Sequence, residues 1–204
     1  MPDLFQALMH AIVGQQISMA AQRTIWGRLC GLLGAVTPES LLARPASEVQ
    51  ALGLSLRKVD YMRGIALQVV SGELDLQETA GLEDAAVCRR LAALRGIGVW
   101  TAEMLLLFCL QRPDILSYDD LAIRRGLRML YRHRELPRER FERYRRRFSP
   151  YGSVASLYLW AIAGGALPGL DDPADRGRPG KSARAAKAAQ AGAADRGKPA
   201  RRRR

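Results

Sequence analysis

The sequence predicts an all-α protein, a bundle of helices followed by a basic tail. Three observations carry that expectation. Apolar residues recur at intervals of three and four through most of the chain. Residues that start helices stand directly before several of those runs. No stretch alternates apolar and polar residues around a hairpin turn, and no repeat of fixed period is present. The elements follow in order. Phe5, Leu8, Met9, Ile12 and Val13 mark a first helix, and Ile25, Trp26, Leu29 and Leu33 a second. Thr37-Pro38-Glu39 supplies a capping hydroxyl with proline at the first helical position. Ser55 can cap a helix carrying Val59, Met62, Ile65, Ala66 and Val69 that ends near Gly72. Further helices are expected over 82–94, 99–110, 121–131, 138–148 and 154–163.

Composition narrows the class. The chain has 204 residues, 48% of them hydrophobic, enough for a core of one or two domains. No apolar run approaches the roughly 20 residues that span a bilayer, and no signal-type start is visible, so a cytoplasmic, nucleoid-associated protein is expected. Three cysteines, Cys30, Cys88 and Cys109, stand too far apart and in the wrong number for a disulfide framework or a zinc site, so no metal is expected. The net charge is +12, which points to a polyanionic partner. From residue 171 to 204 the chain holds 11 Lys or Arg against 4 Asp or Glu and almost no large apolar residue. Such a segment cannot offset its own ordering entropy. The expected organisation is therefore a helical domain over 1–170 and a disordered basic tail over 171–204.

Two stretches carry chemistry. In Leu94-Arg95-Gly96-Ile97-Gly98-Val99-Trp100-Thr101-Ala102, two glycines two apart lie between helical runs. They let the backbone take left-handed angles and come close to another surface. The free amides at the start of the next helix favour an anion. Ile97 should tuck inward and pin the turn, making a helix-hairpin-helix that grips a phosphate through backbone N–H groups. An ordinary glycine-containing turn is the plainer alternative. The second stretch is Ser117-Tyr118-Asp119-Asp120-Leu121-Ala122-Ile123, two carboxylates ahead of an apolar-periodic helix. Either acid could simply be the N-cap. The loop over 111–118 can also return the chain toward the hairpin, where an acid at a helix N-terminus stays ionised beside a bound phosphodiester.

Together these stretches resemble the helix-hairpin-helix glycosylase superfamily, and within it the alkylation-repair branch of the 3-methyladenine DNA glycosylase II type. The resemblance rests on L-x-G-I-G-x-W-T-A over residues 94–102, followed about twenty residues later by an acid three before Ile123. Ile12-Val13-Gly14-Gln15-Gln16-Ile17-Ser18, Gly53-Leu54-Ser55 with Lys58, Tyr61 and Met62, and Pro150-Tyr151-Gly152-Ser153 with Ala155 and Trp160 extend it over residues 2–165. It implies a helix-hairpin-helix glycosylase fold and a monofunctional enzyme that hydrolyses the N-glycosidic bond of alkylated purines such as 3-methyladenine and 7-methylguanine. Its partner would be double-stranded DNA holding a damaged base, bound by a monomer.

Carried over by position, the catalytic carboxylate falls on Asp120, with Asp119 in a structural or capping role. Trp100 and Trp160 fall where the branch has pocket tryptophans, and Met104 and Leu121 where it can have tyrosines. Gln16 falls on the side chain that fills the gap left by a flipped base, with Gln15 a near competitor. Contact with DNA is implied for Gln15, Gln16 and Ser18, for Arg95, Gly96, Ile97, Gly98 and Thr101, and for Arg124 and Arg125. Trp100 stands where strand-nicking relatives carry a Schiff-base lysine, so no lyase activity is expected. No cofactor is implied, because the four grouped cysteines of an iron–sulfur cluster are missing; a monovalent cation at the hairpin carbonyls is left open.

Eleven arginines lie between Arg124 and Arg147 against Glu135, Glu139 and Glu142. Arg124, Arg125 and Arg128, beside Asp120, could face phosphates, while a solvated charged face suits the rest. Relatives usually have a further helical stretch ahead of the segment that begins here at Pro2, so the expectation includes either a truncated start or a compact variant. Two other classes compete with the enzyme: a non-catalytic helix-hairpin-helix protein that binds damaged or branched DNA, and a scaffold whose basic tail dominates binding.

Overall fold

The computed structural model describes residues 3–175 and is all-helical over that range. The helices are α1 (Leu4–Gly14), α2 (Met19–Leu33), α3 (Pro38–Leu42), α4 (Ala46–Ala51), α5 (Leu56–Val70), α6 (Leu76–Gly81), α7 (Asp84–Ala92), α8 (Val99–Phe108), α9 (Leu121–Tyr131), α10 (Arg138–Phe148) and α11 (Gly152–Ala163). Local chemistry sets most of the starts. Asp3, Ser18, Thr37, Ser55, Asp75 and Asp120 each accept backbone N–H bonds at a helix N-terminus. The Thr37 cap is reciprocal, with Ser40 returning a bond to the Thr37 amide.

Two apolar clusters organise these helices. The larger draws Leu8, Ile12, Leu29, Val59, Met62, Leu91 and Leu106 from α1, α2, α5, α7 and α8. The smaller joins Leu116, Ile123, Leu127, Leu136, Phe141 and Leu159 across α9, α10 and α11. Trp160 packs against both. α9 and α11 approach closely because Gly126 leaves room: a Cβ there would lie 2.4 Å from the Leu159 carbonyl oxygen. The chain passes from one cluster to the other through residues 109–120, which end at Asp120. That crossing brings the second cluster's first helix up against the hairpin of the first.

The folded body extends past residue 170, where the sequence places the start of a disordered tail. Pro173–Asp175 forms a 3₁₀ turn, and Asp172 is 4% exposed. Its carboxylate accepts from Arg128 Nε at 3.0 Å and from a second guanidinium nitrogen, and it also takes the Ala174 N–H at 3.0 Å. Two acids at the head of a basic segment thus find arginines on α9 that composition could not reveal. The rest of the expected tail, residues 176–204, lies outside the described residues. Among the described residues, no helix is long and apolar enough to cross a membrane.

Candidate active site

The hairpin runs from the end of α7 to the start of α8. Ile97 is 4% exposed and its N–H closes on the Leu94 carbonyl at 3.0 Å, so it pins the turn as expected. Of the two glycines only Gly96 takes a positive φ, +91°. Gly98 has φ −92° and ψ 170°, an extended backbone, and begins α8 with no capping side chain. Its role is openness: nothing stands within 4 Å of where its Cβ would be. The amides that open α8 therefore sit on an uncovered backbone, with Gly98, Val99 and Trp100 all exposed. Gly96 is constrained twice, since a Cβ there would fall 2.3 Å from the Tyr61 ring.

The motif segments that are distant in sequence interlock at this turn. Gln15 Nε2 donates to the Gly96 carbonyl at 2.7 Å. Lys58 Nζ donates to the carbonyls of Val13 at 2.9 Å and Gln15 at 2.7 Å, placing its charge at the C-terminal end of α1, where the helix dipole favours a cation. Burial, and then the neighbouring Arg57 charge, lower the Lys58 pKa. Arg95 lies 5.8 Å over the Tyr61 ring. Gln15 thus supports the hairpin, whereas Gln16, at φ +59°, is exposed. Ser18 is the N-cap of α2, accepting from the Ala21 N–H.

Asp120 is 7% exposed and is the N-cap of α9. Its Oδ1 accepts from the Ala122 and Ile123 amides, each at 2.8 Å. Its Oδ2 accepts from Trp100 Nε1 at 2.9 Å. A carboxylate offers about four acceptor directions, so three bonds orient it and leave one free. Asp119 beside it is exposed.

The loop that delivers Asp120 is held from several sides. Arg112 donates to the Ala80 and Leu82 carbonyls at 2.6 and 3.0 Å and lies 3.4 Å from the Asp84 carboxylate. Asp114 accepts from the Gly152 N–H at 3.0 Å and the Ser149 hydroxyl at 2.6 Å. Ser153 and Ser156 of α11 bond the Ile115 N–H and carbonyl at 3.0 and 2.8 Å. The Gly152-Ser153 motif therefore clasps the loop before the catalytic candidate. Tyr118 is fixed between guanidiniums, Arg124 at 4.8 Å and Arg138 at 5.0 Å, with Phe141 edge-on at 5.2 Å. None of these partners is signalled locally.

A cavity of about 530 Å³ opens beside Trp100 and is lined by Gln15, Gln16, Trp100, Thr101, Met104 and Leu105 among others. A larger one, about 570 Å³, lies around the opposite face of α8 at Val99, Glu103 and Leu106, with Cys88 and Arg145. The first is the candidate base pocket because Trp100, which binds Asp120, forms its wall. Volume alone would have chosen the other. Trp160 does not line the first cavity; it stacks on Phe108 at 5.6 Å between the two clusters. Leu121 follows Asp120 at 77% exposed, free to meet a ligand from outside. Arg125 faces Asp172 and Asp175 at 3.8 and 3.9 Å, so its charge, like that of Arg128, is shared with the 171–175 segment. Among the described residues, no group of three or more His, Cys, Asp or Glu could hold a metal ion.

Residues 9–150 match the HhH-GPD superfamily of base excision DNA repair proteins. The chain belongs to that superfamily. Its curated relatives include several DNA-3-methyladenine glycosylases. It is 33% identical to DNA-3-methyladenine glycosylase 1 of Schizosaccharomyces pombe, over 76% of this chain and 71% of that one. It is 25% identical to a putative DNA-3-methyladenine glycosylase of Bacillus subtilis, spanning 78% of this chain but only 58% of that protein. The crystal structure of a DNA-3-methyladenine glycosidase from Bacillus halodurans superposes with a TM-score of 0.73 at 40% identity, covering 80% of this chain and 77% of that one. The hairpin, Asp120 and the crossing loop all lie within the matched residues.

Proposed function

We propose that this HhH-GPD protein is a monofunctional DNA glycosylase that removes alkylated purines, of the 3-methyladenine and 7-methylguanine type, from double-stranded DNA. The observation that carries the reading is the Asp120 carboxylate, oriented by two helix amides and by the indole of Trp100, a residue that lines a cavity. The hairpin amides take a phosphate of the lesion strand, and the damaged nucleotide rotates out of the duplex into the Trp100 cavity. As the base leaves, positive charge grows on the sugar, and the free acceptor direction of Asp120 meets that charge or aligns the attacking water. An alkylated purine is already cationic, so it departs with little acid assistance and stacks favourably on the exposed Trp100 ring. Met104 and Leu121 make the surroundings more apolar than tyrosines would. Gln16, on its exposed left-handed turn, fills the gap that the flipped base leaves.

Hydrolysis without strand nicking follows from the same site. Trp100 stands where a Schiff-base lysine would be needed, and the Lys58 ammonium is engaged with two carbonyls on α1. The residues present supply the whole reaction as written, by a monomer and with no cofactor step.

The test is base release from methylated duplex DNA by wild type and Asp120→Asn. Asparagine caps helices about as well as aspartate, so the variant should fold and bind abasic DNA. Its release rate is expected to fall by at least ~100-fold. Binding without release by wild type, across several lesions, would instead support a lesion-sensing protein.

A further inference from the structure

Five of the six arginines of α10 fall into two sets. Arg138 and Arg145 lie 3.7 and 3.9 Å from the Glu142 carboxylate. Arg140, Arg143 and Arg147 have no carboxylate within ion-pair distance among the described residues, yet their spacing of three and four places them on one helix face. Like charges at that spacing repel one another, so the arrangement has no purpose internal to the helix. These three side chains line a cavity of about 390 Å³ together with His133 and Tyr144.

The floor of this cleft decides what it can hold. Tyr144 has its ring between Tyr131, at 4.3 Å, and Phe148, at 6.4 Å. The close stack with Tyr131 takes up one face of the ring. What it offers is its hydroxyl, 2.7 Å from His133 Nε2. The cleft thus presents three guanidiniums, a phenol and an imidazole. Guanidiniums only donate. The complement of such a set is a compact anion with several acceptor oxygens.

The cleft is also remote from the hairpin. Asp120 caps the N-terminus of α9, and His133 follows the Arg132 that ends it. Eleven helical residues separate the two ends, about 16 Å at 1.5 Å each. We propose that His133, Arg140, Arg143, Tyr144 and Arg147 form a second phosphate-binding site, which takes a phosphodiester of nucleic acid or a free phosphate group without serving the flipped base.

His133 reports on occupancy. Burial lowers its pKa, and the Arg140 and Arg143 charges lower it further. Arg147 and Tyr144 from α10 face the same space, Tyr131 of α9 stacks on its ring, and Glu135 nearby binds Arg140 only through its carbonyl. A phosphate seated among these groups would favour the imidazolium and raise the midpoint. The chain holds two histidines, His10 and His133, so their NMR signals are readily assigned by His10→Gln.

The experiment follows His133 in the full chain by NMR as pH is varied, with pyrophosphate, with a short undamaged duplex, or with sodium chloride at matched ionic strength. Expected is a rise of the His133 midpoint by roughly half a pH unit or more with pyrophosphate, the duplex or both, and none with chloride. In Arg143→Ala/Arg147→Ala, with an unchanged melting temperature, the rise should disappear while base release from a short methylated duplex stays as in wild type. A rise with the duplex at concentrations where pyrophosphate has no effect assigns the site to the nucleic-acid backbone, and the reverse to a free phosphate. No rise with either anion, or an equal rise in the double variant, overturns the proposal.

Discussion

Asp120 shows why a capping reading and a catalytic one need not exclude each other. Its Oδ1 is spent on α9 and its Oδ2 on Trp100, so the bonds that make it a cap also aim it. Trp100→Phe keeps an aromatic wall but removes one charge-assisted hydrogen bond, worth about 1.5–3 kcal/mol. The expected result is a single-turnover rate lower by roughly 10- to 100-fold, with abasic-DNA affinity little changed. Glu103 on α8 is a half-buried carboxyl of a different kind. Burial raises its pKa, the Ser117 hydroxyl lowers it, and the Asp119 charge adds to the rise. A carboxyl raised in the folded state costs stability as pH climbs through that higher value. Glu103→Gln should therefore raise the melting temperature more at pH 8 than at pH 4, a difference calorimetry can read.

The helices differ in how they could be anticipated. α9 and α10 begin and end where the sequence places them: the Asp120 side chain caps α9, and α10 runs from just after Pro137 to just before Ser149-Pro150. α11 begins two residues earlier, at Gly152, since Asp114 accepts its amide across the crossing loop. α4 and α6 are too short to show a period. The 171–175 segment reads as tail by composition but docks through Asp172. Burial alone would raise that carboxyl's pKa. The bonds from Arg128 and Ala174 and the Arg125 charge outweigh burial and hold it below the usual range. Its contribution is therefore present above the unfolded pKa of about 4 and lost as pH falls through the folded value. Asp172→Asn should cost about 3 kcal/mol at pH 7, because it leaves the Arg128 charge poorly matched. The gap between the variant's melting temperature and that of wild type should begin to narrow below about pH 4 and close once pH has fallen past the lower folded value.

Moving the boundary of the body to residue 175 redistributes the charge. Residues 176–204 hold 11 Lys or Arg against one acid, a net +10 of the chain's +12. The body through residue 175 carries only the remaining +2. Long-range attraction to DNA is then expected mainly from 176–204, while lesion recognition needs the hairpin amides and the Trp100 cavity. Each phosphate neutralised contributes about 0.9 to the slope of log affinity against log salt. Removing 176–204 should lower that slope by about 3 or more and weaken binding at 150 mM salt. Base release at saturating protein should stay near the full-length rate. A slope unchanged by the deletion would place the DNA charge contacts on the body.

The sequence alone was enough for the helical class, the hairpin and its inward isoleucine, the acid ahead of α9, and most helix starts. Those signals are written in neighbouring residues, where backbone geometry and capping act within one or two turns. Only the tertiary structure decided which acceptor Trp100 meets, 20 residues away, and what Lys58 binds, 43 and 45 residues away. It also decided that Asp172 belongs to the body, through an arginine 44 residues back. Trp160 went to the packing between the clusters and Trp100 to the cavity, though both are tryptophans on helices. Side-chain partners across such separations depend on how helices cross, and helix crossing is set by the packing of whole faces.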